Sequence, residues 1–176
     1  SEIHWFYQEG ASRIFPDYWQ DYLKPIPGAG HVDLLQAYYR QLTSDNEVER
    51  MAAAKAWSLW EGGCATLTPS QSVVDHFGDP FTALSLARIE CHYFVNNSFL
   101  EEDQILRDAY KLHDIPGIIV QGRYDIVCPI ESAWDLHKAW PQAELKIIDD
   151  AGHSASEVGT RSALVDAADK MAARLA

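Results

Sequence analysis

Two stretches near the end of the chain decide its fold class: residues 115–125 read IPGIIVQGRYD, and residues 145–153 read LKIIDDAGH. Each contains a short apolar run, at 115–120 and at 145–148, and each run leads into a turn with glycine. Short β-branched runs of this length are typical of buried parallel strands. The residues between them, 131–140, are amphipathic and predict a helix. A strand, helix, strand order predicts a parallel sheet and an α/β fold.

The sheet predicted in this way is too small to be complete. A final helix follows the second turn, with Leu164, Ala168 and Met171 on one stripe, but two strands do not form an independent sheet of this kind. The chain also begins without Met, and the aromatic cluster Trp5-Phe6-Tyr7 comes almost at once, whereas a terminus is usually a polar tail. We expect that preceding residues, with the rest of the sheet, were removed by cloning or by cleavage.

The first part of the chain has a different pattern of apolar residues. Its apolar residues fall at helical spacing, and it contains no convincing strand pattern. Three helices are predicted there: residues 31–42, a helix capped by Ser44 or Asp45 and ended by Gly62-Gly63, and residues 80–95. The sequence therefore predicts two regions, a helical one over 1–112 and a strand-helix-strand-helix one over 113–176.

The charge of the chain restricts its partners. Twenty-six acidic residues against 14 basic ones give a formal net charge of −12, which argues against nucleic acid and against an anionic membrane surface. A negative field favours cationic ligands, such as a peptide with a free amino terminus, although acidic surfaces also simply keep proteins in solution. No apolar run approaches ~18 residues, so we expect no membrane span and a cytoplasmic protein.

The cysteines indicate a reducing compartment. Cys64, Cys91 and Cys128 are odd in number and form no Cys-x-x-Cys pair, so they do not make a disulfide framework. Spacing typical of metal ligands is also missing from the sequence. We therefore expect neither a metal nor a cofactor.

Two residues after the predicted strands have the order of a catalytic acid and base. Asp125 follows the first strand and His153 follows the second, 28 residues later. The carboxyl ends of parallel strands meet at one edge of a sheet, and Asp then His matches the second half of the Ser…Asp…His order of α/β-hydrolases. A carboxylate that holds the imidazole in one tautomer lets its other nitrogen act as a base. Taken singly, Asp125 could instead be a turn former and His153 a loop residue.

The motifs around these residues resemble those of the proline iminopeptidases. The pattern near the acid is Gly122-Arg123-Tyr124-Asp125 with Cys128, and the pattern near the histidine is Gly152-His153-Ser154. Further similar segments cover essentially the whole chain: Tyr7-Gln8, Gly10-Ala11-Ser12-Arg13, Phe15-Pro16, Trp57-Ser58-Leu59-Trp60-Glu61, Ala87-Arg88-Ile89-Glu90, His92-Tyr93-Phe94, Ala133-Trp134-Asp135-Leu136 and Lys138-Ala139-Trp140-Pro141.

The resemblance implies the C-terminal part of an α/β-hydrolase with a mostly helical cap, residues 1–112, and a serine aminopeptidase that releases N-terminal proline from peptides. It assigns Glu61 and Glu90 to the substrate's imino terminus, because a buried ammonium needs anionic partners. It also implies that Phe6 and Tyr7 line the site of the proline ring, and that Cys128 lies near the acid. Each glutamate could instead be an ordinary solvated helix residue, and the aromatic rings could be core packing.

The nucleophile of such an enzyme is missing from the sequence. No Gly-x-Ser-x-Gly elbow occurs; in the family it precedes the part that this chain resembles, as does the oxyanion-hole segment. We therefore expect the missing N-terminal half as a partner and no peptidase activity from the isolated chain. Two alternatives stay open: another capped hydrolase, such as an esterase or epoxide hydrolase, and a non-catalytic fragment that self-associates as a homo-oligomer through an exposed sheet edge.

Overall fold

The computed structural model describes residues 1–175, which divide into two compact units. The first contains Ser1–Cys64 and Thr68–Leu100, and the second contains Ala65–Leu67 and the chain from Glu101 onward. The predicted boundary after residue 112 separates a cap from a catalytic core according to function. This functional division stays a prediction.

The first unit is built from helices. Its α-helices are α1 (Glu2–His4), α2 (Pro16–Leu23), α3 (Leu34–Leu42), α4 (Glu47–Cys64), α5 (Gln71–Gly78) and α6 (Pro80–Val95). A π-helical segment, Trp5–Glu9, follows α1 directly, and 3₁₀ turns occur at Ala11–Arg13, Ala29–His31 and Asn97–Phe99. The predicted helix over 80–95 is confirmed, with Asp79 capping it through its side chain.

Aromatic side chains form the core of this unit. Among the largest fully buried side chains are Trp57 and Trp60 of α4, Tyr22 of α2, Tyr38 of α3 and Phe6 of the π-helical segment. Two of these side chains are hydrogen-bonded to main chain: the Trp60 indole donates to the Phe6 carbonyl at 3.2 Å, and the Tyr22 hydroxyl donates to the Tyr7 carbonyl at 3.4 Å. These bonds hold the π-helical segment, a rare turn that is often found at functional sites.

Helix α4 differs from its prediction at both ends. The first-turn amides of Val48 and Glu49 donate to the Asn46 side chain, so Asn46 takes the capping place expected for Ser44 or Asp45. At the other end, the helix continues through Gly62 and Gly63 to Cys64. The glycines serve close packing there, because a Cβ on Gly62 would lie 2.7 Å from the Phe77 side chain and one on Gly63 would lie 2.9 Å from Tyr18.

Helix α3 begins later than predicted. Residues Ala29–His31 form a 3₁₀ turn, Val32 is extended, and Asp33 accepts a hydrogen bond from the Gln36 amide at 3.1 Å as the N-cap. The apolar residues from 32 onward have helical spacing, but Asp33 caps the helix and makes Leu34 its first residue.

The second unit contains the predicted parallel sheet. Strand β1 (Gly117–Gly122) pairs in parallel with β2 (Ala143–Ile148), from Gly117 opposite Ala143 to Gly122 opposite Ile148. Helix α7 (Gln104–Asp108) and a 3₁₀ turn (Ala109–Leu112) precede the sheet, α8 (Ile130–Ala139) connects the strands, and α9 (Val158–Leu175) follows them. The predicted α/β order is confirmed. Strand β1 begins and ends two residues later than the predicted run 115–120, and β2 begins two residues before the predicted run 145–148 and ends with it.

No helix within residues 1–175 combines the length and the hydropathy that crossing a membrane requires.

Candidate active site

Asp125 is held in place by the turn that follows β1. Its Oδ1 accepts hydrogen bonds from the amides of Val127, at 3.0 Å, and Cys128, at 2.8 Å. Its Oδ2 accepts from the Gln121 side-chain amide at 3.1 Å and lies 3.0 Å from Nδ1 of His153. Only 8% of Asp125 is exposed. A carboxylate surrounded by donors in this way has a fixed orientation and aims one oxygen at the imidazole.

His153 lies on the loop that follows β2, and hydrogen bonds hold both its main chain and its side chain. The amides of His153 and Ser154 both donate to the Ala65 carbonyl, at 3.0 and 2.7 Å. The imidazole is partly exposed, with Nδ1 facing Asp125. When Nδ1 carries the proton toward that carboxylate, Nε2 has the lone pair that a general base needs.

The two turns are in direct main-chain contact, which explains why these residues meet. The amides of Arg123 and Tyr124 donate to the carbonyls of Ile148 and Ala151, at 2.9 and 3.0 Å. Gly122, the last residue of β1, allows this approach, because a Cβ there would lie 1.9 Å from the Gly152 carbonyl oxygen. The side-by-side arrangement expected for the ends of neighbouring parallel strands is therefore observed for Asp125 and His153.

Sequence reasoning missed Gln121. The Gln121 side chain donates to Asp125 Oδ2 and to the Cys128 carbonyl, each at 3.1 Å, so it connects the two ends of the acid turn. Its only sequence signal is a polar residue inside an apolar strand, directly before Gly122. Cys128 itself is partly exposed, and its amide hydrogen bond to Asp125 places its main chain beside the acid.

A second cluster of acidic residues lies in the first unit, where Glu61 of α4 and Glu90 of α6 are neighbours. The Tyr7 hydroxyl donates to Glu61 Oε2 at 3.2 Å, and the Trp57 indole donates to Glu90 Oε2 at 2.9 Å. Glu61 is only 8% exposed, whereas Glu90 is half-buried. Neither glutamate is therefore on an open solvated face.

The surroundings of Glu61 favour its protonated form. Burial, then the charge of Glu90, then a hydrogen bond with Glu90 raise the pKa of Glu61 to about 8, against a smaller lowering by the Tyr7 hydroxyl. Burial, followed by the charges of Glu61 and Glu90, likewise raises the pKa of Tyr7, which stays a phenol and a donor. Near neutral pH Glu61 therefore holds a proton, and a bound cation would favour its release.

Phe6 and Tyr7, predicted to line the site, sit on the π-helical segment. Phe6 is 1% exposed and stacks on Trp60, with ring centroids 5.2 Å apart. The Tyr7 ring is also buried and contributes its hydroxyl to Glu61. That hydroxyl contact was not predicted, and the lining role stays a prediction.

Comparison with known proteins decides the family. A family model described as alpha/beta hydrolase fold matches residues 8–160, which include both clusters. The chain belongs to the α/β-hydrolase fold family.

Several proline iminopeptidases are similar to this α/β-hydrolase chain. The proline iminopeptidase of Xanthomonas citri is 57% identical over 172 residues, which cover 97% of this chain and 55% of that protein. The one from Arabidopsis thaliana is 49% identical, over 98% of this chain and 46% of the relative. The one from Neisseria gonorrhoeae is 41% identical, over 99% and 56%. The predicted resemblance is confirmed, and the chain spans about half the length of the curated relatives it matches.

In this α/β-hydrolase chain, Asp125 and His153 have the family's order after successive strands. Within the described residues, 1–175, no group of three or more His, Cys, Asp or Glu side chains is arranged to hold a metal ion. The arrangement offers an oriented imidazole in the second unit and a protonatable carboxyl pair in the first.

Proposed function

We propose that this chain is the part of a serine aminopeptidase, specific for N-terminal proline, that supplies the acid and the base of the triad and the residues that recognise the substrate's amino end. The hydrogen bond between His153 and Asp125 supports the catalytic half of this assignment. The pair of buried Glu61 and half-buried Glu90 carries the choice of substrate, because two carboxyls among aromatic rings are a site for a cation. Similarity to three proline iminopeptidases supports the same choice.

In the proposed reaction, His153 accepts or donates one proton in each step. A serine supplied from outside this chain attacks the scissile carbonyl while His153 Nε2 takes its hydroxyl proton. Asp125 keeps the proton on Nδ1 and stabilises the imidazolium that forms. The imidazolium then gives its proton to the leaving amine, and the acyl-enzyme remains. Water attacks the acyl-enzyme with His153 again as the base, which releases proline and restores the serine.

Glu61 and Glu90 recognise the substrate in this proposal. The imino terminus of proline is a secondary ammonium with two N–H donors, which matches two neighbouring carboxyls. Tyr7 and Trp57 each occupy the Oε2 atom of one carboxyl, so the Oε1 atoms are assigned to the substrate. A bound ammonium lowers the pKa of Glu61, and proton release then lets both carboxylates accept from its two N–H donors.

The alternatives differ in what they require of this pair. An esterase or epoxide hydrolase acts on a neutral group and has no use for two neighbouring carboxyls shielded from solvent. A non-catalytic, self-associating fragment would need neither the pair nor the hydrogen bond between Asp125 and His153. The pair therefore favours the aminopeptidase.

The test uses an enzyme in which residues 1–176 are joined to the N-terminal part of the Xanthomonas citri relative, the part outside the match. We call this protein the joined enzyme. We expect it to hydrolyse proline p-nitroanilide, and we expect the 176-residue chain alone to be inactive. Hydrolysis of a neutral ester without any hydrolysis of proline p-nitroanilide would contradict the proposal and favour the esterase. Activity of the isolated chain would contradict the assignment of the serine to another segment.

A further inference from the structure

The Glu157 side chain accepts hydrogen bonds from two main-chain amides of the second unit. Its Oε2 accepts a hydrogen bond from the Gly152 amide at 2.7 Å, and its Oε1 accepts one from the Leu67 amide at 2.9 Å. Gly152 directly precedes His153, and Leu67 belongs to the short segment Ala65–Leu67 of the same unit. One carboxylate thus joins two segments that are 85 residues apart in the sequence.

The hydrogen bonds of Glu157 differ from those that an acidic residue usually makes at the start of a helix. Glu157 is the residue before α9, and an acid there usually faces the first amides of its own helix, whose dipole it complements. Here both oxygens accept instead from amides outside the helix, one earlier in the same loop and one in the distant segment Ala65–Leu67. Hydrogen bonds to an ionised carboxylate are about twice as strong as neutral ones, so the contacts are suited to holding a loop.

The hydrogen bond from the Gly152 amide is one of three that consecutive amides make in the histidine loop. Glu157 accepts from the Gly152 amide, and the Ala65 carbonyl accepts from the amides of His153 and Ser154. Three consecutive amides around the histidine therefore all donate to protein groups: one to the side chain of Glu157 at the end of the same loop, and two to the Ala65 carbonyl. Gly152 itself is packed against the same segment, since a Cβ on it would lie 2.9 Å from the Leu67 nitrogen.

We propose that Glu157 is a positioning residue for His153, which acts by tying the main chain of the histidine loop to residues 65–67. The part of this inference that concerns catalysis rests on the proposed function, in which His153 is the general base. Glu157 itself touches no reacting atom. Its effect passes through the main chain: with Gly152 released, the His153 ring turns away from Asp125 and from the serine proton.

The test compares Glu157→Gln with Glu131→Gln. Glutamine keeps the shape of the side chain but replaces one acceptor with an amide that has hydrogens, so it can accept only one of the two bonds. Glu131 is an exposed residue of the same unit, and its variant removes the same charge away from the loop. Glu157→Asp keeps the charge and shortens the side chain, and it gives a second reading if the glutamine variant does not fold.

The first readout is the nuclear magnetic resonance signal of the His153 Nδ1 proton in the 176-residue chain, recorded where circular dichroism shows each variant folded. We expect the signal in the parent chain and in Glu131→Gln, and its broadening or loss in Glu157→Gln. Glu157→Asp should weaken it to an intermediate degree. An unchanged signal in the folded Glu157 variants would overturn the proposal, because a merely stabilising residue would leave it unaltered.

The second readout is the kinetics of the joined enzyme on proline p-nitroanilide. We expect Glu157→Gln to lower kcat by about 10²-fold and to change KM little, because the ammonium contacts are elsewhere. A kcat that falls only with the folded fraction would also overturn the proposal. If the joined enzyme never cleaves this substrate, the proposed function fails, while the Nδ1 signal still decides the role of Glu157.

Discussion

Tyr7 and Trp57 stack face to face, with ring centroids 4.2 Å apart and ring planes inclined by 18°, and each donates a hydrogen bond to a different carboxyl. Tyr7 donates to Glu61 and Trp57 donates to Glu90. The stacked pair fixes the orientation of both acids at once, because neither ring can turn without disturbing the other. This arrangement assigns to the two rings a role in holding the carboxyls as well as in packing.

Removing the Tyr7 hydroxyl should weaken cation binding without emptying the core. Tyr7→Phe keeps the stacked ring and deletes the donor to Glu61, which also raises the pKa of Glu61 further because the Tyr7 hydrogen bond lowers it. We expect the 176-residue chain to bind prolinamide about tenfold more weakly near neutral pH. Calorimetric titration measures this. Tyr93→Phe, which removes a hydroxyl from a half-exposed ring of α6, is the control, and an equal loss in both variants would contradict the role of Tyr7.

The protonation of Glu61 makes the stability of the chain depend on pH. Its pKa rises from the ordinary 4.5 to about 8 on folding, so between these values the native state holds a proton that the unfolded chain has lost. The free energy of unfolding should therefore fall as pH rises through this range, by roughly 5 kcal/mol at most, and be fully recovered below pH 4.5 as far as this group is concerned. Urea unfolding at several pH values measures the slope.

Matched variants separate Glu61 from the other acids in that measurement. Glu61→Gln should remove the slope and leave the chain more stable than the parent above pH 8. Glu90→Gln should move the fall in stability to lower pH, because the Glu90 charge raises the pKa of Glu61. Glu47→Gln, at the exposed start of the same helix, should leave the slope as it is. A slope that persists in Glu61→Gln would show that another group carries it.

The fold class followed from the sequence because two apolar runs and their turns are local signals. The strands, their parallel pairing and the place of Asp125 and His153 after them were all predicted from that pattern. Gly62-Gly63 misled the prediction of α4, since glycine serves equally to end a helix and to let Phe77 and Tyr18 approach one. Local propensity does not distinguish these uses, and only the packing of α2 and α5 decides between them.

The details of the site were less predictable, for a physical reason. Glu61 and Glu90 were assigned through a resemblance, since periodicity alone does not tell a buried glutamate from a solvated one. The side chains of Gln121, Trp57 and Glu157 form hydrogen bonds that depend on the orientation each side chain takes in the folded protein. Hydrogen bonds of that kind leave no spacing pattern in the sequence.

Adding a methyl group to Gly122 should displace the histidine loop. In Gly122→Ala the new Cβ would lie 1.9 Å from the Gly152 carbonyl oxygen, a main-chain atom that cannot rotate away. We expect the free energy of unfolding to fall by about 1–3 kcal/mol and the His153 Nδ1 signal to be lost. Gly30→Ala is the control, because a Cβ there meets nothing within 4 Å. Two variants of equal stability with the same Nδ1 signal would contradict the close approach of the turns.

Asp125→Asn should leave the shape of the acid turn nearly intact but select the wrong tautomer of His153. The asparagine amide can donate toward Nδ1, so the proton moves to Nε2, where the base is needed. We expect kcat of the joined enzyme on proline p-nitroanilide to fall by about 10⁴-fold. Asp149→Asn, at a residue of the same unit whose side chain is 84% exposed, should retain near-parental activity. If the two variants lose activity alike, Asp125 does not orient the histidine.

Recognition of the imino terminus of proline by Glu61 and Glu90 can be measured by calorimetric titration of the 176-residue chain with two ligands of nearly equal shape. Prolinamide carries the secondary ammonium, and cyclopentanecarboxamide has carbon in its place. We expect prolinamide to bind with release of a proton near pH 7 and cyclopentanecarboxamide to show no measurable binding. A variant that combines Glu61→Gln with Glu90→Gln should lose this difference. Equal binding of the two ligands, or a preference that survives in the double variant, would contradict this recognition.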